Sequence, residues 1–139
     1  MSDNWTEDQL KPLNMFELAS KWTDGLKVLG SANGAALIAA GAALHAFSAR
    51  PEAIFWVKFA GIIFFVGVFA FAIAFACIHR SVFYFDEMLH ATRDKDAVKI
   101  NSFSEASTRD MMAANWLAIV ATLAFFVGCL FGLIALIKV

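Results

Sequence analysis

Charged residues are scarce in this sequence, and residue patterns of catalytic sites are missing from it. Only 17% of its 139 residues are Asp, Glu, Lys or Arg, whereas an ordinary globular domain carries about 25%. The sequence contains no glycine-rich phosphate loop, no Cys/His zinc set and no nucleophile paired with a base. We therefore expect a protein that is not an enzyme and that needs no cofactor.

The net charge and the two cysteines argue against nucleic-acid binding and against a disulfide-bonded fold. A formal net charge of −1 gives no reason to expect nucleic acid as a partner. Cys77 and Cys129 fall at different depths of two predicted membrane helices, and a disulfide requires Cα atoms within about 7 Å of each other. We interpret both cysteines as small buried side chains rather than as a disulfide.

Hydrophobic residues, by contrast, make up 60% of the chain and include 15 Phe. They form three apolar runs, over residues 28–47, 54–78 and 113–137. Each run has the roughly 20 residues that a helix needs to cross a hydrocarbon core. The sequence therefore predicts an all-α integral membrane protein, with an N-terminal segment of residues 1–27 and a three-span domain of residues 28–139.

The N-terminal segment is charged, yet its apolar residues are spaced as in a helix. Phe16, Ala19, Trp22 and Leu26 recur every three or four residues, and Asn14 with Glu17 has the spacing of a capping box. This pattern predicts an amphipathic helix that lies on the bilayer surface or packs under the three spans.

The spans differ in side-chain size. The first is rich in Ala and Gly, including Gly30, Gly34 and Gly41, and small residues let membrane helices approach closely. We expect this helix to be the inner one and the Phe-rich second span to face lipid. The third span carries Gly128 and Gly132 four residues apart, on one face of the helix.

The connector of residues 79–112 holds most of the remaining charge. Residues 79–92 are compatible with a continuation of the second helix, and residues 93–101 form a charged link. Ser102 and Glu105 then have capping-box spacing and mark an expected helix start. Spans two and three are therefore expected to extend beyond the bilayer, into the cytoplasm.

Basic residues set the expected orientation. One side has Lys11, Lys21, Lys27, Arg80, Arg93, Lys95, Lys99 and Arg109, whereas the other has Arg50, Lys58 and Lys138. Under the positive-inside rule the N-terminus and the connector are cytoplasmic and the C-terminus is outside. We expect a bacterial-type inner membrane.

Few polar side chains occur within the spans, so each is a candidate functional group. Asn33 and Asn115 fall at similar predicted depths and either form a helix-to-helix hydrogen bond or line a pore. Lys58 lies near the outer end of its span, where it either extends its amine outward or provides a pore charge. His45 is an interfacial imidazole that titrates near neutrality.

A weak metal-site pattern follows the second span. His79, Asp86 and His90 share one helix face at spacings of seven and four residues. Asp86 and His90, one turn apart, are suited to chelating a divalent metal, although a solvated, salt-bridged face explains the same pattern.

Two functions remain from these observations. Small-residue faces favour self-association, so the first hypothesis is a homo-oligomeric pore or channel in the bilayer. The alternative is a non-catalytic subunit or scaffold of a larger membrane complex. The candidate pore or helix-contact residues are Gly30, Asn33, Gly34, Gly41, Asn115, Gly128 and Gly132.

Overall fold

Three α-helices make up the described part of the chain. The structure is a computed structural model that describes residues 15–138, in which α1 is Met15–Ala46, α2 is Pro51–Arg93 and α3 is Ala97–Ile137. All three helices are long and apolar enough to cross a membrane, and no strand occurs within the described range. The prediction of an all-helical protein with three candidate spans is confirmed.

The start of α1 differs from the sequence prediction. Its charged first turns continue without a break into the apolar residues, so residues 15–27 are not a separate helix. Glu17 forms an ion pair with Lys21 at 3.0 Å, one turn along the same helix. Asn14, the other half of the predicted capping box, lies outside the described residues.

The start of α3 was also predicted wrongly. The helix begins at Ala97 because the side chain of Asp96 caps it, accepting a hydrogen bond from the Lys99 backbone N–H at 3.1 Å. Ser102, the predicted cap, lies inside the helix and donates its hydroxyl to the Lys99 carbonyl. The same backbone hydrogen bond from Lys99 lowers the pKa of Asp96.

A short turn therefore joins two very long helices. At 1.5 Å per residue, α2 with 43 residues is about 64 Å long and α3 with 41 residues is about 61 Å long. Each is about twice the thickness of a hydrocarbon core of about 30 Å. Lys95 takes a φ of 55° in the turn, which lets the chain reverse direction. We call residues 79–112 the hairpin extension.

Small residues form the contact between α2 and α3. In each helix a buried small residue recurs at every seventh position. The α2 series is Ala53, Ala60, Gly67, Ala74 and Ser81, and the α3 series is Ser107, Ala114, Ala121, Gly128 and Ala135. Ser81 contacts Ser107 directly, and this antiparallel register places the two series opposite each other. The helices remain paired along their length, since small side chains allow close backbone approach.

α1 packs antiparallel to α2 with a constant register. Phe16 contacts Phe85, Gly30 lies against Phe71, and Ala40 lies near Gly61. Near its start, α1 contributes Ala19 and Leu26 to a core shared with both other helices. Towards Ala46 a groove separates α1 from α3, so α1 is in close contact with α3 over only part of its length.

The expectation that the first span is the inner helix is wrong within one copy of the chain. Of the most apolar stretch of each helix, 28% of residues are buried in α2, 17% in α3 and 11% in α1. The reason is that α2 has two kinds of face. Its small residues contact the other helices, whereas several of its large rings, such as Phe55, Phe65 and Phe69, point outward.

Candidate functional site

The most buried polar group of the apolar region is Asn33, where all three helices meet. Its side chain is 0% exposed. The amide nitrogen donates to the carbonyl of Ala121 on α3 at 3.1 Å and to the carbonyl of Leu29 on α1 at 3.0 Å. The same side chain lies directly against Gly67 of α2. We call Asn33, Gly67 and Ala121 the three-helix junction.

Gly67 is required at this junction by space. A Cβ at position 67 would overlap the Oδ1 atom of Asn33. That oxygen is buried and accepts no hydrogen bond. The junction therefore combines one interhelical hydrogen bond, from Asn33 to Ala121, with close packing of the Asn33 side chain against Gly67.

The two asparagines predicted at similar depth occupy different environments. Asn115 is exposed on α3, whereas Asn33 bonds to Ala121, about 9 Å further along α3 at 1.5 Å per residue. The structure thus does not bring the two side chains together. Asn33 is occupied inside one copy of the chain, and Asn115 is free to face lipid or another molecule.

The candidate glycines divide into filled and open positions. A Cβ at Gly30 would meet the Phe71 ring, and one at Gly128 would meet the Phe64 ring. These two glycines accept phenylalanine rings from α2. Gly34, Gly41 and Gly132 have no atom within 4 Å of an added Cβ, beyond their own helix backbone. The open positions lie on surfaces that the described part of the chain does not cover.

An apolar groove of about 240 Å³ separates α1 from α3 on the side where α1 ends. Small residues form both walls, and α2 forms its floor. The lining comprises Ala36, Ala39, Ala40 and Ala43 of α1, Phe47 of the turn after it, Val57, Ala60 and Phe64 of α2, and Gly128, Cys129, Gly132 and Leu136 of α3. We call this surface the α1–α3 groove. Cys129 is exposed there, so its interpretation as a buried side chain is wrong, while Cys77 is half-buried.

A polar layer fastens the base of the hairpin extension. The Ser81 hydroxyl donates to the Ser107 carbonyl at 3.0 Å, and the Ser107 hydroxyl donates to the Ser81 carbonyl at 3.1 Å. Next to them, Arg80 Nε lies 3.2 Å from Asp110 Oδ2, a contact of opposite charges without hydrogen-bond geometry. The Asp110 side chain is only 8% exposed, so its charge is compensated mainly by the arginine. These groups stabilise the pairing of α2 and α3 where the apolar runs end.

The metal candidates are not gathered into a site. His90 Nε2 lies 3.8 Å from Asp86 Oδ2. His79 Nδ1 instead lies 2.9 Å from the Phe75 carbonyl, and its ring packs on the Phe75 ring at 4.3 Å between centroids. Within residues 15–138, no group of three or more His, Cys, Asp or Glu side chains is placed to hold a metal ion.

The other two candidates, His45 and Lys58, are both exposed, on the side of the molecule where a turn joins α1 to α2. Lys58 lies at the edge of a second apolar depression, between α1 and α2, which it lines together with Gly41 and Gly61. Neither side chain points into the core of the three-helix bundle. An outward extension of the Lys58 amine is compatible with this position.

Gly67, the paired serines and the ion pair of Arg80 with Asp110 were not predicted from the sequence. The signal that was present is the recurrence of small residues at every seventh position in both α2 and α3. Such a repeat marks the contact face of two paired helices. No protein-family model matches this chain, and neither a curated protein nor a solved structure matches it.

Proposed function

We propose that this protein is a non-catalytic membrane protein that assembles with copies of itself. In this assembly the α1–α3 groove of one copy receives the outer face of α2 from the next. One observation carries the proposal. Within a copy, phenylalanine rings pack against Gly30 and Gly128, but no side chain packs against Gly132 in the groove. In lipid, burying apolar surface gains little, so helices associate mainly through close van der Waals packing. A large side chain packed against a glycine provides such a contact.

Depth in the bilayer limits which side chains of a second copy are available to the groove. Copies inserted in the same orientation hold each residue at the same depth. The groove walls include Ala40 of α1, which lies near Gly61, and Gly132 of α3, one turn beyond the Gly128 that contacts Phe64. The groove therefore lies at the level of Phe59 in α2.

The outer face of α2 at this level carries large apolar side chains. Phe55 is 53% exposed, Phe59 42% and Ile62 62%. These residues lie on the side of α2 opposite Val57 and Ala60, which form the groove floor. Groove and ridge are thus on opposite sides of one copy, and a head-to-tail contact between them generates a ring or a row of copies.

The mass of the protein in nanodiscs tests this proposal. We expect the full-length chain to form particles of several times 15.2 kDa, as counted by native mass spectrometry or stepwise photobleaching. Gly132→Leu places a side chain in the groove at a position where an added Cβ has no atom within 4 Å. Phe55→Ala truncates a ridge side chain whose ring contacts lie within α2. Each variant should reduce the copy number. Gly25→Leu and Phe69→Ala are matched controls away from the groove and should leave it unchanged.

Other results contradict the proposal. A wild-type particle with the mass of one chain excludes self-assembly. Equal loss in the Gly25→Leu control shows that the groove is not the contact. Co-purification of unrelated chains in fixed stoichiometry from native membranes, with a single copy of this protein, identifies it instead as a subunit of a larger complex.

A pore is the second candidate function, and Asn115 favours it. This amide is exposed on α3, just inside the apolar run, where an uncompensated polar group is unfavourable against lipid. In a ring of copies it would line a polar passage. Protein in liposomes is then expected to conduct ions or release dye, and Asn115→Leu to reduce the flux. Wild-type liposomes that remain sealed exclude this role.

The proposal includes an orientation: the protein lies in a bacterial-type inner membrane with its hairpin extension in the cytoplasm. The excess of Lys and Arg on the N-terminal segment and the hairpin extension supports this orientation. In a Cys77→Ser, Cys129→Ser chain, a membrane-impermeant maleimide should label Arg50→Cys in intact cells. Lys95→Cys should react only after the cells are opened, and the reverse pattern means the opposite orientation.

A further inference from the structure

Lys58 is the only residue with a polar side chain that lines the depression between α1 and α2, which has a volume of about 390 Å³. Its walls are formed mainly by Leu37, Gly41 and Leu44 of α1 and by Lys58, Gly61 and Phe65 of α2, and we call it the α1–α2 depression. Because α1 and α2 are antiparallel, with Ala40 near Gly61, Lys58 lies at the end nearest the turn. Phe65 lies about 10 Å deeper along α2.

Small side chains keep this depression open. Beyond its own helix backbone, an added Cβ at Gly41 would have no atom within 4 Å, and one at Gly61 would have only the Ala40 Cβ, at 3.7 Å. The two helices therefore approach each other closely at Ala40 and leave an empty strip beside the contact. The strip runs along the helices, which is also the direction of the acyl chains in a bilayer.

The charge of Lys58 is uncompensated. This exposed side chain lies about 6 Å inside the apolar run that begins at Ile54, and it takes part in no ion pair or hydrogen bond within residues 15–138. Glu52 is the only acidic residue between positions 25 and 85. It lines a different depression, together with Trp56 and Lys138. A cation at the edge of the hydrocarbon is unfavourable without an anion.

A phospholipid offers the missing anion at this depth. The four-carbon stem of Lys58 lets the amine extend towards the headgroup level, where the lipid phosphate lies, and lysine is a common phosphate ligand. A second copy in the same orientation offers no carboxylate at the level of Lys58, because its nearest acidic side chain is again Glu52, about 9 Å closer to the turn. A lipid with a net negative charge is favoured over a zwitterionic one, whose own amine competes for the phosphate.

We propose that the α1–α2 depression is a binding site for an anionic phospholipid, with the phosphate on the Lys58 amine and one acyl chain along Gly61 and Phe65. The lipid joins α1 to α2 at the end where the α1–α3 groove separates α1 from α3. Phe55 and Phe59 lie outside the depression, so the site does not depend on self-assembly. It is also independent of orientation, because both leaflets contain phospholipid.

Native mass spectrometry of the full-length protein in detergent tests the headgroup contact. Wild type should bind phosphatidylglycerol several-fold more tightly than phosphatidylcholine of the same acyl chains. Lys58→Gln should abolish this preference, whereas Lys58→Arg should retain it. Arg50→Gln, which removes a cation from the turn outside the depression, is the control and should leave it unchanged. Equal affinities in wild type, or an equal loss in Arg50→Gln, overturn the proposal.

The same measurement tests the place of the acyl chain. Gly41→Leu puts a side chain into the depression at a position where an added Cβ meets no atom within 4 Å. We expect this variant to bind both lipids several-fold more weakly, whereas Gly25→Leu, at an open position outside the depression, should bind them as wild type does. Unchanged lipid binding by Gly41→Leu means that the acyl chain lies elsewhere, and this result rejects the site.

Discussion

The contact between α2 and α3 and the contact of α1 with that pair are built in different ways. α2 and α3 pair through small residues repeated along both helices, and through the polar layer of Ser81 and Ser107. The contacts of α1 include one buried interhelical hydrogen bond, from Asn33 at the three-helix junction, and the Phe71 ring packed against Gly30. Beyond the junction α1 leaves the α1–α3 groove open.

This difference shows how the same kind of residue serves two purposes. Where small residues on both partners face each other, they permit continuous contact and share the stabilisation among many positions. Where small residues face lipid, as at Gly34 and Gly41, they leave surface available to a further helix. We therefore expect single substitutions to weaken the attachment of α1 more than the pairing of α2 with α3.

Gly67→Leu should have the largest effect, because position 67 belongs to both contacts. The new side chain overlaps Asn33 and faces Ala121, so we expect a loss of about 3 kcal/mol in the free energy of unfolding. Unfolding in mixed detergent micelles, followed by circular dichroism, measures it. Gly25→Leu, which meets open space, is the control. Equal stability of the two variants would show that the junction is not tightly packed.

Asn33→Ala should weaken the attachment of α1 and leave α2 and α3 paired. It removes the bond to the Ala121 carbonyl, and we expect a loss of about 1 kcal/mol. Hydrogen exchange should accelerate in the apolar part of α1 and change little in α2 and α3. Asn115→Ala, at an exposed position, should leave exchange unchanged. Uniform acceleration in all three helices would contradict a separable attachment of α1.

The serine pair should contribute less. Because the two hydroxyl oxygens also lie 3.0 Å from each other, a double-mutant cycle of Ser81→Ala and Ser107→Ala should give a coupling energy of about 0.6 kcal/mol. Combining Ser81→Ala with Ser102→Ala, on an exposed turn of α3, should give none. A coupling as large as the Asn33→Ala effect would mean that the hairpin also depends on a few polar groups.

The smallest effect concerns the helix start at Asp96. The hydrogen bond from Lys99 lowers the pKa of Asp96, so its stabilisation is complete above the ordinary aspartate pKa and is lost as pH falls through the lowered value. The Lys99 amide resonance should titrate below the ordinary range, and this titration should vanish in Asp96→Ala. Asp94→Ala should preserve it. If the Lys99 amide resonance senses a midpoint at the ordinary aspartate pKa, Asp96 does not cap the helix.

The sequence was most informative where a property is summed over many residues. Three apolar runs predicted three candidate spans, since hydropathy and length are additive along a helix. Helix starts were less predictable, because Asp96 and Ser102 are both good cap residues and only one of them caps α3. Asn33 was recognised as unusual, but its partner Ala121 has no side-chain feature that identifies it.

Hydropathy along the chain was sufficient to specify three helices compatible with a membrane. Three features follow only from how the helices pack: α2 is the most buried helix, Gly67 lies against Asn33, and Gly132 lies in the groove with no side chain packed on it. The physical reason is that composition fixes whether a helix is stable in lipid, whereas the rotation of each helix fixes which glycines receive a neighbour.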